Sequence, residues 1–334
     1  MDRSLPFVSV VVPARNEHTA IGRCLESILR NSYPLDNLEV VVVDGMSDDG
    51  TRDIVQGYAR SYPQVKLVDN PRLITPVAFN IGIEFASGDV IAIFGAHSYM
   101  EYDFLLEAVR TLAEHPEVDC VGGVAEATGK SSWEEAVKAA FNSPFSTGSS
   151  KYSEKEGYVT TVVYGVCRRD VFAKYGLFDE RFVRAQDYEF NLRIVRAGGK
   201  LYQNPAIRSY YRPRSSPGRL FEQYFQYGEW KVQVLVKHHT LSIKNFIPPL
   251  YFSVLLVSIL LSLVDHMFLY CSFFLMAGYI LGLIPIAMLA RRRNGGMGNL
   301  FLIAIVLFFI HAGFSLGFYK GAIDVLAGKA AVKG

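Results

Sequence analysis

A chain of 334 residues has room for one large domain or two smaller ones. Its 34 lysines and arginines against 32 acidic residues leave a net charge of +2, which excludes nucleic-acid binding driven by bulk electrostatics. Half of the residues are apolar, and unevenly so: residues 1–245 have the composition of a soluble enzyme, residues 246–334 that of a membrane segment. The four cysteines (Cys24, Cys120, Cys167 and Cys271) lack metal-ligand spacing and read as reduced core residues of a cytosolic or membrane-bound protein. Met1–Ser4 leads straight into the first strand, so no signal peptide is expected.

The first strand, Val8–Val12, runs into Pro13-Ala14-Arg15-Asn16-Glu17. Ile21, Cys24, Leu25, Ile28 and Leu29 then repeat at helical spacing. A second strand, Leu38–Val43, runs into the acidic loop from Asp44 to Thr51. This is a β-α-β unit with two buried, parallel strands. Ligands of such sheets bind beyond the carboxyl ends of the strands. Here those ends carry carboxylates and hydroxyls, not a Gly-x-Gly-x-x-Gly phosphate loop, which argues against a dinucleotide dehydrogenase. Further strands are expected at Val65–Val68, Val90–Phe94, Val118–Gly122 and Thr160–Tyr164. Helices are expected at Pro76–Ala86, with Val77, Ile81 and Phe85 on its apolar face, and at Phe104–Ala113. The alternation predicts an α/β fold with an open, mostly parallel sheet.

Pro213–Gly218 reads as the exit loop from this domain. Leu220–Val236 is aromatic-rich and reads either as an interfacial helix or as an ordinary amphipathic helix packed on the domain. Phe246–Val264, Met267–Ala290 and Leu300–Tyr319 contain no charged residue over 19, 24 and 20 positions. At about 1.5 Å per residue each is long enough for a bilayer core of roughly 30 Å. Arg291–Arg293, with Lys237 and Lys244, place the flanks and the catalytic domain on the cytoplasmic side; Lys329 and Lys333 run against an external C-terminus.

A carboxylate at Asp44 can accept from an imide N–H such as that of uracil, and Glu17 and Asp48 suit ribose hydroxyls or the base edge. Turn chemistry alone also places Asp, Ser and Gly in such loops. After the fourth strand, Gly95-Ala96-His97 offers one metal ligand, His97. Mg²⁺ and Mn²⁺ tolerate being held mainly by phosphate and water. Asp187 precedes a helical run from Asn191 to Ala197, where exposed N–H groups keep a carboxylate ionised. It reads as a general base or as a helix cap.

Together these residues resemble the family-2 inverting glycosyltransferases of GT-A fold, and among them the succinoglycan-type exopolysaccharide branch. The resemblance rests on Val10–Glu17, Asp44–Thr51, Ser143-Pro144-Phe145, Tyr164–Arg169, Phe178-Asp179-Glu180, Gln186–Glu189 and Gln223–Lys231, in that order. It implies a GT-A domain over residues 1–215, an interfacial region over 216–245 and membrane helices over 246–334. It implies a nucleotide-sugar pocket of Pro13, Arg15, Glu17, Asp44, Ser47 and Asp48, with Asp44 on the uracil. It implies Asp187 as catalytic base, Gln186, Gln226 and Trp230 on the acceptor or diphosphate side, and a divalent Mn²⁺ or Mg²⁺ at His97. The implied partners are a UDP-sugar, a polyprenyl-diphosphate-linked saccharide and membrane lipid, at the inner face of the cell membrane. A polyprenyl-phosphate acceptor and a degenerate nucleotide-sugar binder are the alternatives. Two departures stand out: Gly95 replaces the first acidic residue of the metal motif, and Glu229 stands where arginine is usual, reversing the charge on the acceptor side.

Overall fold

The computed structural model describes residues 5–129, 131–141, 143, 155–239 and 243–329. Pro144 and Phe145 lie outside the described residues. By internal packing the chain forms two units: Met1–Ala127 with Ser150–Arg212, and Thr128–Ser149 with Pro213–Gly334. The division drawn from sequence, at 215 and 245, differs, because the segment after residue 127 packs with the C-terminal helices and 216–245 does not stand apart from them.

The first unit is an α/β domain. Strands β1 (Val8–Ala14), β2 (Leu38–Asp44), β3 (Val65–Asp69) and β4 (Val90–Ile93) lie in the order β3-β2-β1-β4, all parallel. Side chains alternate across such strands, and the valine runs supply an apolar face on each side. Val8, Val10, Val12, Val40 and Val42 bury against helix α1 (Ile21–Leu29). Val11, Val41 and Val43 bury against helix α3 (Thr75–Phe85). That helix turns Ala78, Phe79, Gly82 and Ile83 to the sheet, and Phe85, expected on the buried face, is 51% exposed. The cause is Gly82: a Cβ there would stand 2.2 Å from Val11 Cγ1, so the glycine lets the backbone settle onto the strands.

Beyond β4 the sheet continues through β8 (Val166–Arg168), β6 (Cys120–Ala127), β9 (Leu201–Tyr211) and β5 (Ser98–Met100), with β7 (Gly157–Val159) paired to β9. β6 and β9 are parallel, while β8 runs antiparallel to both β4 and β6. The strand expected at Thr160–Tyr164 does not form. Tyr164 has φ +49°, the chain bends there, and pairing begins at Val166. This shift corrects the cysteine reading. Cys120 and Cys167 are register partners, their Cα atoms are 4.1 Å apart, and they form a disulfide; Cys24 and Cys271 are free. A separation of 47 residues hides that contact until β8 is placed.

The second unit comprises α5 (Ser132–Phe141), α8 (Pro217–His238), α9 (Ile243–Leu261), α10 (Met267–Arg293) and α11 (Leu300–Leu326). Ser216 caps α8 by accepting from the Arg219 N–H, with Pro217 in the first turn. α8 lies along α11 with little room between backbones: a Cβ at Gly317 would meet Phe225 O at 1.8 Å, and one at Gly321 would meet Glu229 O at 2.5 Å. Lys320 Nζ seals the contact, 2.5 Å from Glu229 Oε1 and 2.7 Å from Asp324 Oδ2. Helices form in all three apolar segments. Among the described residues α10 and α11 are long and apolar enough to cross a membrane; the apolar part of α9, Asn245–Leu261, falls short.

Candidate active site

The carboxyl ends of β1, β2 and β4 carry most of the expected donor-site residues, and hydrogen bonds tie the first two loops into one surface. The Asn16 N–H donates to Ser47 Oγ (2.9 Å), and the Asp48 N–H donates back to Asn16 Oδ1 (3.1 Å). The Glu17 N–H donates to Thr51 Oγ1 (2.8 Å), and the His18 N–H to Asp49 Oδ2 (3.0 Å). The left-handed φ of Asn16 (+56°) and Met46 (+53°) gives the loops the sharp turns that this pairing needs. Pro13 sits in register with Val43, one residue before the Ala14–Asp44 pair. Arg15 packs its side chain over Gly45, where a Cβ would stand 3.3 Å away.

Asp44 has a different place from the one expected. It is fully buried, and its carboxylate accepts from the Ser47 N–H (2.9 Å), the Ser47 hydroxyl (2.5 Å) and Arg52 Nη1 (2.7 Å). Arg52 also reaches Asp69 at the end of β3, at 2.8 Å. Hydrogen bonds to Asp44 and then to Asp69 hold the guanidinium further above its ordinary pKa. The carboxylate is thus consumed inside the loop, and so is the Ser47 hydroxyl. The solvent-facing groups are Arg15, Asp48 and, partly, Glu17.

His97, in the turn between β4 and β5, is 53% exposed on its side chain, and its Nδ1 lies 3.7 Å from Glu17 Oε1. Two neighbouring ligands at about 2.1 Å from one ion stand roughly 3 Å apart. His97 Nδ1 and Glu17 Oε1 are wider apart than that, so the fit lies in the donor chemistry alone: an imidazole nitrogen and a carboxylate oxygen suit a divalent cation that accepts mixed N/O donors. Among the described residues no group of three His, Cys, Asp or Glu side chains converges on an ion. The other positions on a cation here would belong to phosphate and water.

Asp187 lies on α7 (Gln186–Arg196), inside its first turn, and is exposed; Ala185, with φ +58°, is the residue before the helix. Its helix is held firmly. Glu189 is fully buried and pairs with Arg193 (2.8 Å), which also donates to the carbonyls of Tyr175 (2.7 Å), the last residue of α6 (Asp170–Tyr175), and of Leu177 (2.8 Å) just beyond it. Asp187 accepts from the Tyr188 N–H and, among the described residues, is bonded to none of the strand-end loop residues. Gln226 and Trp230, one turn apart on α8, belong to the second unit. Glu229 spends its charge on Lys320, which corrects the expectation that it faces an acceptor or diphosphate.

Sequence reasoning missed Arg52, Asp49 and Glu189 with Arg193. A cue for the last pair was their i, i+4 spacing; Arg52 offered none, because its partners end two different strands.

The chain belongs to glycosyl transferase family 2, whose pattern matches residues 9–176. It is 34% identical over 328 residues to the dolichyl N-acetyl-alpha-D-glucosaminyl phosphate 3-beta-D-2,3-diacetamido-2,3-dideoxy-beta-D-glucuronosyltransferase of Methanococcus voltae, covering 95% of this chain and 97% of that one. It is 28% identical over 330 residues to the succinoglycan biosynthesis protein ExoA of Rhizobium meliloti (strain 1021), covering 94% of each. The similarity to this exopolysaccharide-branch protein is moderate. The fold matches the mannosyltransferase PcManGT from Pyrobaculum calidifontis, solved with GDP-Man and Mn²⁺, at a TM-score of 0.59 and 20% identity over 98% of this chain and 89% of that chain.

Two outcomes follow from this geometry. Arg52→Met leaves Asp44 buried without its counter-charge, and the expected loss of stability is on the order of 3 kcal/mol, read from thermal or urea unfolding. The Asp49 carboxyl is held below its ordinary value of 3.8, chiefly by the Thr51 hydroxyl, which outweighs the cost of desolvation, with lesser help from the His18 and Thr51 amides. A lowered folded-state pKa stabilises the fold above the ordinary value and loses that contribution as pH falls through the lowered one. Acid unfolding of Asp49→Asn should therefore be flatter than wild type below about pH 4, with the difference between them constant at neutral pH.

Proposed function

We propose that the protein is an inverting glycosyltransferase that moves a sugar from a UDP-sugar to a hydroxyl of a polyprenyl-linked saccharide at the cytoplasmic face of a membrane. The observation that carries this is the continuous surface at the ends of β1, β2 and β4, where Arg15, Glu17, Asp48 and His97 face outward over a loop framework organised by Asp44. Exposed carboxylates beside an arginine at that place suit a base and ribose. The second unit supports a lipid-borne acceptor, because α10 and α11 are suited to a bilayer and would keep the enzyme where such acceptors lie. The relative from Methanococcus voltae is named for a dolichyl phosphate that already carries a sugar, which favours a hydroxyl acceptor over bare polyprenyl phosphate.

In this reading Arg15, Glu17 and Asp48 orient the nucleotide. Asp187, exposed in the first turn of α7, removes the proton from the acceptor hydroxyl. The oxygen forms its bond to the anomeric carbon as the bond to the diphosphate breaks. UDP departs with the bonding pair, and the configuration inverts. A divalent cation held by His97 would supply charge neutralisation for the diphosphate. Gln186, beside Asp187, and Gln226 and Trp230 on α8 serve the acceptor.

The test is UDP release by the detergent-purified full chain, supplied with a panel of UDP-sugars and a lipid extract. Asp187→Asn should cut turnover by about 10²–10⁴-fold, as expected for loss of a general base, while UDP binding persists. Near-normal turnover in that variant would remove Asp187 from the mechanism. Undiminished release with bare polyprenyl phosphate as sole acceptor would replace the hydroxyl acceptor by a lipid phosphate.

A further inference from the structure

By length and composition α11 qualifies as a spanning helix, but its packing gives it another place. Its buried residues Ile303, Val306, Leu307, Ile310, Phe314 and Phe318 recur three or four apart and form one stripe down most of its length. Two helices cover that stripe. In its first half Phe309 meets the Trp133 ring of α5 edge-on, with centroids 6.5 Å apart. Further along α8 takes over. A Cβ at Gly313, Gly317 or Gly321 would collide with the carbonyl oxygen of Phe221, Phe225 or Glu229, respectively. The two sets advance together by four residues, so α8 runs parallel to the second half of α11, with Phe221 level with Gly313.

That register sets the depth of α11. The first unit ends at Arg212 and α8 begins at Pro217. A fully extended link of that length reaches at most about 18 Å, less than a bilayer core of roughly 30 Å. The start of α8 therefore stays on the first unit's side of the bilayer. In a spanning α11, Gly313 would lie about 20 Å from the first residue, inside the hydrocarbon, and would take the start of α8 with it. Arg214, Arg219 and Glu222 are exposed there, and charged side chains facing lipid at that depth are costly. With α11 lying along the surface, the same three residues face water. Trp133, Tyr227 and Trp230 then fall at the headgroup level, where such rings are favoured.

The surface that meets the hydrocarbon is the hairpin of α9 and α10. Ser258 and Ser272, both buried, close it with a hydrogen bond of 2.9 Å. Leu256, Leu260, Leu263, Tyr270, Phe273 and Phe274 stand exposed on its outside. Arg291–Arg293, exposed at the end of α10, complement an anionic headgroup layer. Tyr319 Oη, 2.8 Å from Ser253 Oγ, and His311 Nδ1, 2.9 Å from Tyr279 Oη, join α11 to the hairpin. We infer that α11 does not cross the bilayer: it lies in the headgroup region as a roof over the α9–α10 hairpin, held there by α5 and α8, and the chain beyond it stays on the first unit's side.

The experiment labels single cysteines in the full chain with a membrane-impermeant maleimide, in sealed right-side-out and inverted vesicles. Cys271, the exposed free thiol, is replaced by serine; Cys24 is buried, and Cys120 and Cys167 are bonded to each other. Gln56→Cys reports the side of the first unit, Met297→Cys the loop before α11, and Lys329→Cys the chain beyond it; all three positions are exposed. Labelling needs neither donor nor acceptor, so its outcome is separate from that of the reaction proposed above. All three thiols should react in the same vesicle orientation, and in the other only after detergent is added. Reaction of Lys329→Cys in the orientation that protects Met297→Cys would mean that α11 crosses, and overturns the inference. Reaction of both in the orientation that protects Gln56→Cys overturns it as well, because α11 would then lie on the far side from the first unit.

Discussion

The arrangement of the loops at the strand ends depends on a carboxylate that never meets solvent. Asp44 is withdrawn fully from water at the end of β2, and an ionised carboxylate cannot remain there without a counter-charge and hydrogen bonds. Arg52 and Ser47 supply both. Through Arg52 the same carboxylate is coupled to Asp69 at the end of β3. Through Ser47 it is coupled to Asn16 at the end of β1. Three strand ends are thereby held in one arrangement by a single buried charge, and the side chains that remain outside are left free of that work.

This explains which parts of the molecule were legible in the sequence. The parallel sheet was, since runs such as Val40–Val43 are apolar on both faces and only a doubly covered strand buries both. The meeting of the β1 and β2 loops followed from the strand ends. The division of labour within it did not. Asp44 and Asp48 look alike in sequence, yet one is sealed inside the loop and the other lies outside, and the difference is made by Arg52, eight residues further along. The antiparallel β8 was misplaced because Thr160–Tyr164 has strand-like composition, whereas the left-handed Tyr164 breaks the strand. The Cys120–Cys167 bond was lost with it.

Glu229 shows the same limit on the membrane side. A reversed charge in a familiar motif looks like a change of chemistry. In the structure it is half of an ion pair with Lys320, across a contact made close by Gly317 and Gly321. Helices that pack through glycines bring their backbones near enough for short side chains to matter. The aromatic α8 is therefore a packed partner of α11, and Glu229 serves that contact.

In the reaction we propose, a sugar passes, with inversion, from a nucleotide to a hydroxyl on a lipid-borne saccharide. The most direct measurement is the structure of the product, by mass spectrometry and NMR, after incubation of the full chain with the competent UDP-sugar and a polyprenyl-linked saccharide. The account predicts a glycolipid one sugar longer, joined through a hydroxyl, with the β configuration from an α-linked donor. An α-linked product, or a sugar attached directly to the lipid phosphate, would contradict it.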